Sequence, residues 1–347
     1  MEQEFSKILR DWYRKNGREL PWRGTKNAYK IWLSEVILQQ TRVDQGLPYY
    51  HRFIEEFPEI KQLAEAPEDK VLRLWQGLGY YSRARNLHAA AKQVVELFEG
   101  EFPADYQKIK SLKGIGEYTA AAIASFAFDL PHPVVDGNVF RFLSRFTGLD
   151  TPIDSTAGKK AFTALAAELL DPQHAAEHNQ AIMEFGALHC KPANPLCETC
   201  PFQFACEALI HNKVDQLPVK EKKQQVRDRY FHYYFISDGQ HTLLRQRTGK
   251  DIWQGLYEFP MTETQGGTAE DHLKQMGFKA KHYRISRPVN ITHLLSHQRL
   301  HTIIHRVECS GIHLDGFQKV PLSELHRYGL PQLLVRYLEK HHGDPSG

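Results

Sequence analysis

Four cysteines fall in one 17-residue stretch, spaced Cys190-x6-Cys197-x2-Cys200-x5-Cys206, with prolines at 192, 195 and 201. Four thiolates suit either a tetrahedral zinc ion or a [4Fe–4S] cluster. Zinc sites more often use two Cys-x2-Cys knuckles across a longer arm. Only one such knuckle occurs here, so the spacing favours iron–sulfur. A disulfide framework would spread its cysteines, whereas the fifth, Cys309, stands alone. Glu35, in Trp32-Leu33-Ser34-Glu35-Val36-Ile37-Leu38-Gln39-Gln40-Thr41, is either a solvated glutamate or a carboxyl whose pKa burial raises on an apolar helix. Leu112-Lys113-Gly114-Ile115-Gly116 separates two helical segments. Its glycines serve either tight packing or a turn whose exposed N–H groups bind a phosphate. Downstream, Asp136-Gly137-Asn138 reads on pattern alone as a turn or helix cap.

Hairpin, acid and cysteine loop in that order resemble the endonuclease III superfamily of helix-hairpin-helix DNA glycosylases. The resemblance implies a mainly structural [4Fe–4S] cluster on Cys190, Cys197, Cys200 and Cys206, shaping a DNA-facing loop. It implies phosphate binding at Gly114 and Gly116, and Asp136 as the carboxylate that stabilises positive charge on the sugar when the base leaves. Asn138 would hold that acid or the sugar backbone in position.

Further segments resemble the MutY family of adenine DNA glycosylases over nearly the whole chain. They are Leu20-Pro21-Trp22-Arg23, the Glu35 segment, and Gln76-Gly77-Leu78-Gly79-Tyr80-Tyr81-Ser82-Arg83. This implies that Glu35 is the general acid, protonating adenine at N7. Tyr118, which would contact the sugar or Asp136, stands where the endonuclease III branch carries a lysine. A phenol forms no Schiff base, so hydrolysis without efficient lyase chemistry is expected. Tyr80 would wedge into the base stack, with Gln40, Thr41 and Leu78 against the opposite strand's 8-oxoguanine. Arg18, Leu20, Trp22, Arg23 and Gln180 would line the adenine pocket.

The same resemblance implies a Nudix-like C-terminal domain that helps recognise 8-oxoguanine. Ile252-Trp253-Gln254-Gly255-Leu256-Tyr257-Glu258-Phe259-Pro260 is similar to its opening strand region. A Nudix hydrolase needs a glutamate six residues after the glycine and a magnesium-binding acidic run. Met261 stands there and no run follows, so no hydrolase activity is expected. His293-Leu294-Leu295-Ser296-His297 is similar to the family's Phe-Ser-His loop at the lesion strand. Leu295 replaces the aromatic residue, while Ser296 and His297 keep their hydrogen-bonding atoms. His301 and His305 alternate along a strand expected to be half-exposed, and no zinc is expected there.

The elements that must position these groups follow from periodicity. Apolar residues recur at helical spacing through Phe5–Tyr13, Ile31–Gln40, Arg83–Phe98 and Ala157–Leu170, and residues 116–127 form an alanine-rich helix. After a polar run led by Pro218 the texture changes. Tyr230–Ser237 and His241–Leu244 read as strands joined at Asp238-Gly239, His301–Val307 as another strand, and Pro331–Lys340 as a helix. The expected architecture is an all-α helix-hairpin-helix core (residues 1–216, cluster loop 190–206), a linker (217–228) and an α+β Nudix-like domain (229–347).

Length and composition agree with two globular domains: 347 residues, 41% hydrophobic and 24% charged. Those values exclude a wholly disordered or collagenous chain, and no apolar run reaches the roughly 18 residues of a spanning helix. The acidic, amphipathic start is unlike a secretory signal, so a cytoplasmic protein is expected, nucleoid-associated in a bacterium. A net charge of +3 does not by itself imply a large sequence-independent affinity for DNA; the distribution of charge matters more than its sum, and a locally basic face is compatible with it. The expected partner is duplex DNA carrying 8-oxoguanine:adenine or guanine:adenine mispairs, met by a monomer. Rival readings are an endonuclease III-type lyase, a silent iron–sulfur DNA binder and a nucleotide hydrolase.

Overall fold

Amphipathic helices must bury their apolar stripes, and the first two hundred residues do so helix on helix. The computed structural model describes residues 2–221, 226–279 and 282–342. Its helices begin with α1 (Glu2–Asn16), α2 (Ala28–Leu38), α3 (Val43–Glu56), α4 (Ile60–Glu65), α5 (Glu68–Leu74) and α6 (Ser82–Phe98). They continue with α7 (Tyr106–Lys110), α8 (Glu117–Phe128), α9 (Gly137–Thr147), α10 (Thr156–Leu169), α11 (Ala175–Leu188) and α12 (Glu207–Ile210). The sheet region holds β1 (Arg227–Ser237), β2 (His241–Gln246), β3 (Tyr257–Glu258), β4 (Met261–Glu263), β5 (Tyr283–Ile285), β6 (Val289–Leu294), β7 (Gln298–Cys309) and β8 (Gln318–Pro321). With them are α13 (Ala269–Gln275) and α14 (Gln332–His342). Among the described residues no helix is long and apolar enough to cross a membrane.

Compactness divides the chain into Met1–Glu65 with Ala89–Lys223, and Ala66–His88 with Gln224–Gly347. The first unit is helical. Phe5, Leu9, Phe142, Phe162, Phe185 and Phe202 share one core, with the Phe142 ring 4.7 Å from Phe185 and 5.5 Å from Phe202. Burial of each such ring contributes about 1.5–3 kcal/mol. A second core sets Ile31 of α2 against Ala121, Ala122 and Phe126 of α8. The methyl side chains of α8 let α2 come close, and that approach brings Glu35 to Tyr118.

In the second unit β1 and β7 run parallel in one long register, Arg227 opposite Gln298 through to Ser237 opposite Glu308. The sheet is ordered β3-β2-β1-β7-β5, with β4 on β1, β6 on β7 and β8 on β2, every pairing except β1–β7 antiparallel. Tyr234, Ile236, Leu243, Leu273, Val307 and Leu314 are buried together.

The structure differs from the sequence reading in four places. Residues 66–88, expected in the helical core, pack with the second unit; an amphipathic pattern does not say which core a helix joins. Of the expected linker, 222–225 lie outside the described residues. Its start packs in the first unit, where Leu217 is buried and accepts from Arg145 Nε at 3.1 Å, and its last two residues already belong to β1. In 252–260 only Tyr257–Glu258 forms strand. His305 is buried, not half-exposed, because it stacks on Tyr234 at 5.0 Å and meets the imidazole of His232 at 3.2 Å.

Candidate active site

In the first unit a cavity of about 190 Å³ opens among α2, α8, α9 and α11. Of the site residues expected from sequence, Arg18, Leu20, Trp22, Arg23, Glu35, Thr41, Tyr118, Asp136, Asn138 and Gln180 all line it. With Glu184, which also lines it, three carboxyls, one phenol and two guanidiniums converge on one pocket, the kind of setting in which pKa values move.

Glu35 is buried, and the Tyr118 hydroxyl donates to its Oε2 at 2.8 Å. Burial raises the Glu35 pKa, the Tyr118 bond opposes the rise, Asp136 adds to it, and the outcome is about 7. Burial, with Glu35 and Asp136 nearby, pushes the Tyr118 phenol well up, so it stays a neutral donor.

Asp136 is the N-cap of α9. Its Oδ1 accepts from the backbone of Asn138 at 2.9 Å and of Val139 at 2.8 Å, and its Oδ2 accepts from Asn138 Nδ2 at 2.8 Å. Burial raises its pKa, and these bonds to the charged form work against that rise. Cap and candidate acid are thus the same side chain. Asn138 is held in turn by Arg141, whose Nη2 donates to its Oδ1 at 2.9 Å and whose Nε donates to the Cys190 carbonyl at 2.8 Å. Gly186 of α11 lets this turn sit close: a Cβ there would lie 2.6 Å from the Asn138 carbonyl oxygen.

The pocket's negative counterpart, absent from the sequence reading, is Glu184. It is buried on α11 and takes Arg18 Nε and Nη2, both at 2.7 Å, and Arg23 Nη2 at 2.6 Å. Burial alone would raise its pKa, but the two guanidiniums hold it down to about 2. Two signals pointed to it: it lies one turn after Gln180, and two arginines in an apolar pocket need a counter-charge. Gln180 itself accepts from the Tyr13 hydroxyl at 2.8 Å.

The other expected residues lie elsewhere. Gln40 sits in the α2–α3 turn with φ of 56° and is not among the cavity's lining residues. Gly114 turns between α7 and α8 with φ of 74°, and Gly116 caps α8, with no atom within 4 Å of a Cβ built on it. In the second unit Leu78, Tyr80, Ser296 and His297 share a cavity of about 460 Å³. Tyr80, with φ of 47°, donates to Ser296 Oγ, and its ring meets His297 edge-on at 6.2 Å. Ser296 and His297 lie in the tight loop joining β6 to β7, closed by Leu295 N to Gln298 O at 2.8 Å. The acids flanking the expected Nudix position are both taken up by arginines: Glu263 pairs with Arg229 at 2.7 Å, and Glu258 is buried and paired with Arg245 and Arg247.

Cys190, Cys197, Cys200 and Cys206 carry free thiols and line one further cavity of the first unit, walled by Phe142, Phe185, Phe202 and Leu209. Among the described residues no group of three or more His, Cys, Asp or Glu is arranged to hold a single metal ion.

Comparison with known proteins agrees with both units. Residues 33–171 match the model of the HhH-GPD superfamily base excision DNA repair proteins, and 232–340 match a NUDIX domain. The chain is 36% identical to a protein named adenine DNA glycosylase from Buchnera aphidicola subsp. Schizaphis graminum, over 96% of this chain and 98% of that one. A mouse protein of the same name is 43% identical over 59% of this chain and 41% of its own length. Among solved structures, a thermostable thymine-DNA glycosylase superposes with a TM-score of 0.56 at 26% identity, over 60% of this chain and 97% of the other.

Proposed function

The chain belongs to the adenine DNA glycosylase family of the HhH-GPD superfamily, and from that premise we propose that it removes adenine paired with 8-oxoguanine or guanine by hydrolysis alone. As an adenine DNA glycosylase it binds DNA and hydrolyses the N-glycosidic bond of adenine in base excision repair. Mispair choice, absence of lyase chemistry, the monomeric state and a cytoplasmic or nucleoid setting are part of the proposal.

The observation that carries it is Glu35: buried, hydrogen-bonded by Tyr118 and titrating near about 7 in the cavity that holds Asp136. A carboxyl still protonated near neutral pH can give its proton to the departing base at N7, so the C1′–N9 bond breaks without expelling an anion. Asp136, held by three hydrogen bonds, faces the positive charge left on the sugar. Water then adds at C1′ and its proton returns to Glu35. Tyr118 lacks the amine that a Schiff base needs. Extruding adenine costs a few kcal/mol. In this reading Tyr80 fills the gap in the stack, Gln40, Thr41 and Leu78 meet the opposite lesion with Ser296 and His297, and the Gly114–Gly116 turn holds a phosphate.

The cysteine loop suits a [4Fe–4S] cluster: four free thiols from one 17-residue stretch line a single cavity, and a set of four soft sulfur donors is what such a cluster takes. When bound, the cluster supplies a rigid cross-link for residues 190–206. Arg145 supports that loop by donating to the Lys191 carbonyl at 2.7 Å and to Cys190 Sγ at 3.5 Å.

The test is a duplex with one 8-oxoguanine:adenine pair, each strand labelled separately, under single-turnover conditions. Cleavage of the adenine strand only after hot alkali is expected. Cleavage without alkali would remove the monofunctional reading, and loss of no base would remove the mispair assignment.

A further inference from the structure

The cavity of about 460 Å³ in the second unit holds more than the residues assigned to the lesion strand: Asp251, Arg85 and Arg336 line it as well. Two of these three charged side chains are already engaged. Both oxygens of Asp251 accept from Arg229 at 2.8 Å, and one also accepts from Arg247 at 3.1 Å. Arg85 donates to the Gln254 carbonyl. Arg336 is exposed, and among the described residues it makes no hydrogen bond or ion pair. Burial, and then Arg336 itself, lower the pKa of His293 in the same cavity, so that ring adds no second charge at neutral pH. The cavity thus carries one uncommitted guanidinium and no free acid. In α14 the neighbours Leu334, Val335, Tyr337 and Leu338 are buried, which leaves Arg336 as the position turned outward, and Gln332 one turn earlier lines the same cavity. A base that reaches Ser296 brings a phosphate on each side of it. A guanidinium suits such an anion, which it takes through two parallel N–H bonds.

We propose that Arg336 binds a backbone phosphate next to the 8-oxoguanine, in the strand opposite the adenine, with the Gln332 amide as a second donor. The inference rests on the reading that Ser296 and His297 meet that strand. A phosphate contact fixes where a strand lies and carries no sequence information, so Arg336 sets the register in which Ser296 meets the base.

The experiment measures Kd by fluorescence anisotropy for full-length wild type, Arg336→Gln and Arg336→Lys. The duplex pairs 8-oxoguanine with an adenine nucleotide whose 2′-fluorine blocks cleavage. Between about 50 and 200 mM salt the wild-type affinity should fall about threefold more than that of Arg336→Gln, the share of one phosphate. Arg336→Lys keeps the charge and should keep the wild-type slope. Equal slopes in the wild type and Arg336→Gln would overturn the proposal. Single neutral methylphosphonates beside the 8-oxoguanine then locate the contact. One of them should weaken the wild type and leave Arg336→Gln unchanged; replacements that affect both proteins alike at every position overturn it. Ser296→Ala, run in parallel, reports on the lesion reading by itself. Lost preference for 8-oxoguanine over guanine, with Arg336→Gln like the wild type, sinks the phosphate contact alone. An unaltered preference sinks the lesion reading, and the placement of this phosphate beside the lesion with it.

Discussion

The Tyr118 hydroxyl points at Glu35 and donates to its Oε2 at 2.8 Å. One phenol thus orients the carboxyl, lowers its proton affinity against the pull of burial, and occupies the pocket wall with a group that cannot attack the sugar as an amine would. The bond exists because the alanine face of α8 lets α2 lie against it. The site's proton chemistry therefore depends on side chains no larger than a methyl.

Glu35→Gln is expected to lower the single-turnover rate of adenine release by about 10²-fold or more, the usual range for losing a general acid, while DNA affinity is retained. Unchanged turnover would remove Glu35 from that role. The same variant carries a stability signature. Burial lifts the folded-state pKa to about 7 from the ordinary glutamate value of 4.5, so the wild type loses stability as pH rises between those values and is level above. The loss is about 3 kcal/mol. Glu35→Gln should be the more stable protein at pH 8, with the difference fading towards pH 4.5, as read by urea unfolding at the two pH values.

The proposed mechanism needs Glu35 protonated, so the rate should fall as pH rises through about 7. Tyr118→Phe removes the bond that holds the Glu35 pKa down. The falling limb of the pH–rate profile should then move to higher pH, even as loss of orientation slows the reaction. A limb unmoved or moved to lower pH would contradict the role assigned to this bond.

Asp136 both caps α9 and faces the cavity, and two substitutions separate these roles. Asparagine is as good an N-cap as aspartate, so Asp136→Asn should fold with nearly wild-type stability yet cut the single-turnover rate by orders of magnitude. Asp136→Ala should lose the same activity and also about 1 kcal/mol of stability. Near-normal rates in Asp136→Asn would defeat the charge-stabilising role.

Glu184→Ala would leave Arg18 and Arg23 facing each other in an apolar pocket without a counter-charge. Removing one partner of a buried charge set costs about 3–5 kcal/mol; Arg18 is partly exposed, so the lower end is expected. Guanidinium chloride unfolding reads this directly, and a change within about 0.5 kcal/mol would mean that the two arginines reach solvent or another acid.

Much of this was legible in the sequence where side-chain pattern alone carries the information. Helical stripes mark their own buried face, as in α1 and α10, and the hairpin at Asp238-Gly239 is written in its turn residues. Glu184 was only half legible: its place one turn after Gln180 and the need of Arg18 and Arg23 for a counter-charge mark it as a candidate, but an acid on a helix looks the same whether it faces water or two arginines. Gly186 was not legible, since its reason is the backbone of Asn138, distant in sequence. The allegiance of residues 66–88 is of the same kind: Gln76 accepts from Leu330 N at 3.2 Å, and Arg85 donates to the Gln254 carbonyl. Pattern reports how much surface a segment must bury and is silent on what will cover it.

The parallel pairing of β1 with β7 sets a timetable for the growing chain. A ribosome delivers residues in order, so β1 must wait for β7, whose first paired residue, Gln298, is made some seventy positions after Arg227. Residues 66–88 wait longer still, because their partners include Leu330. The first unit has all its residues by Lys223 and can condense early around its phenylalanine core, with 66–88 left as an unsatisfied excursion. Domains generally fold as units, and non-local strand pairing is slow. The interval between those events is when the excursion is most open to proteases and chaperones, and limited proteolysis of stalled nascent chains should find its cuts there.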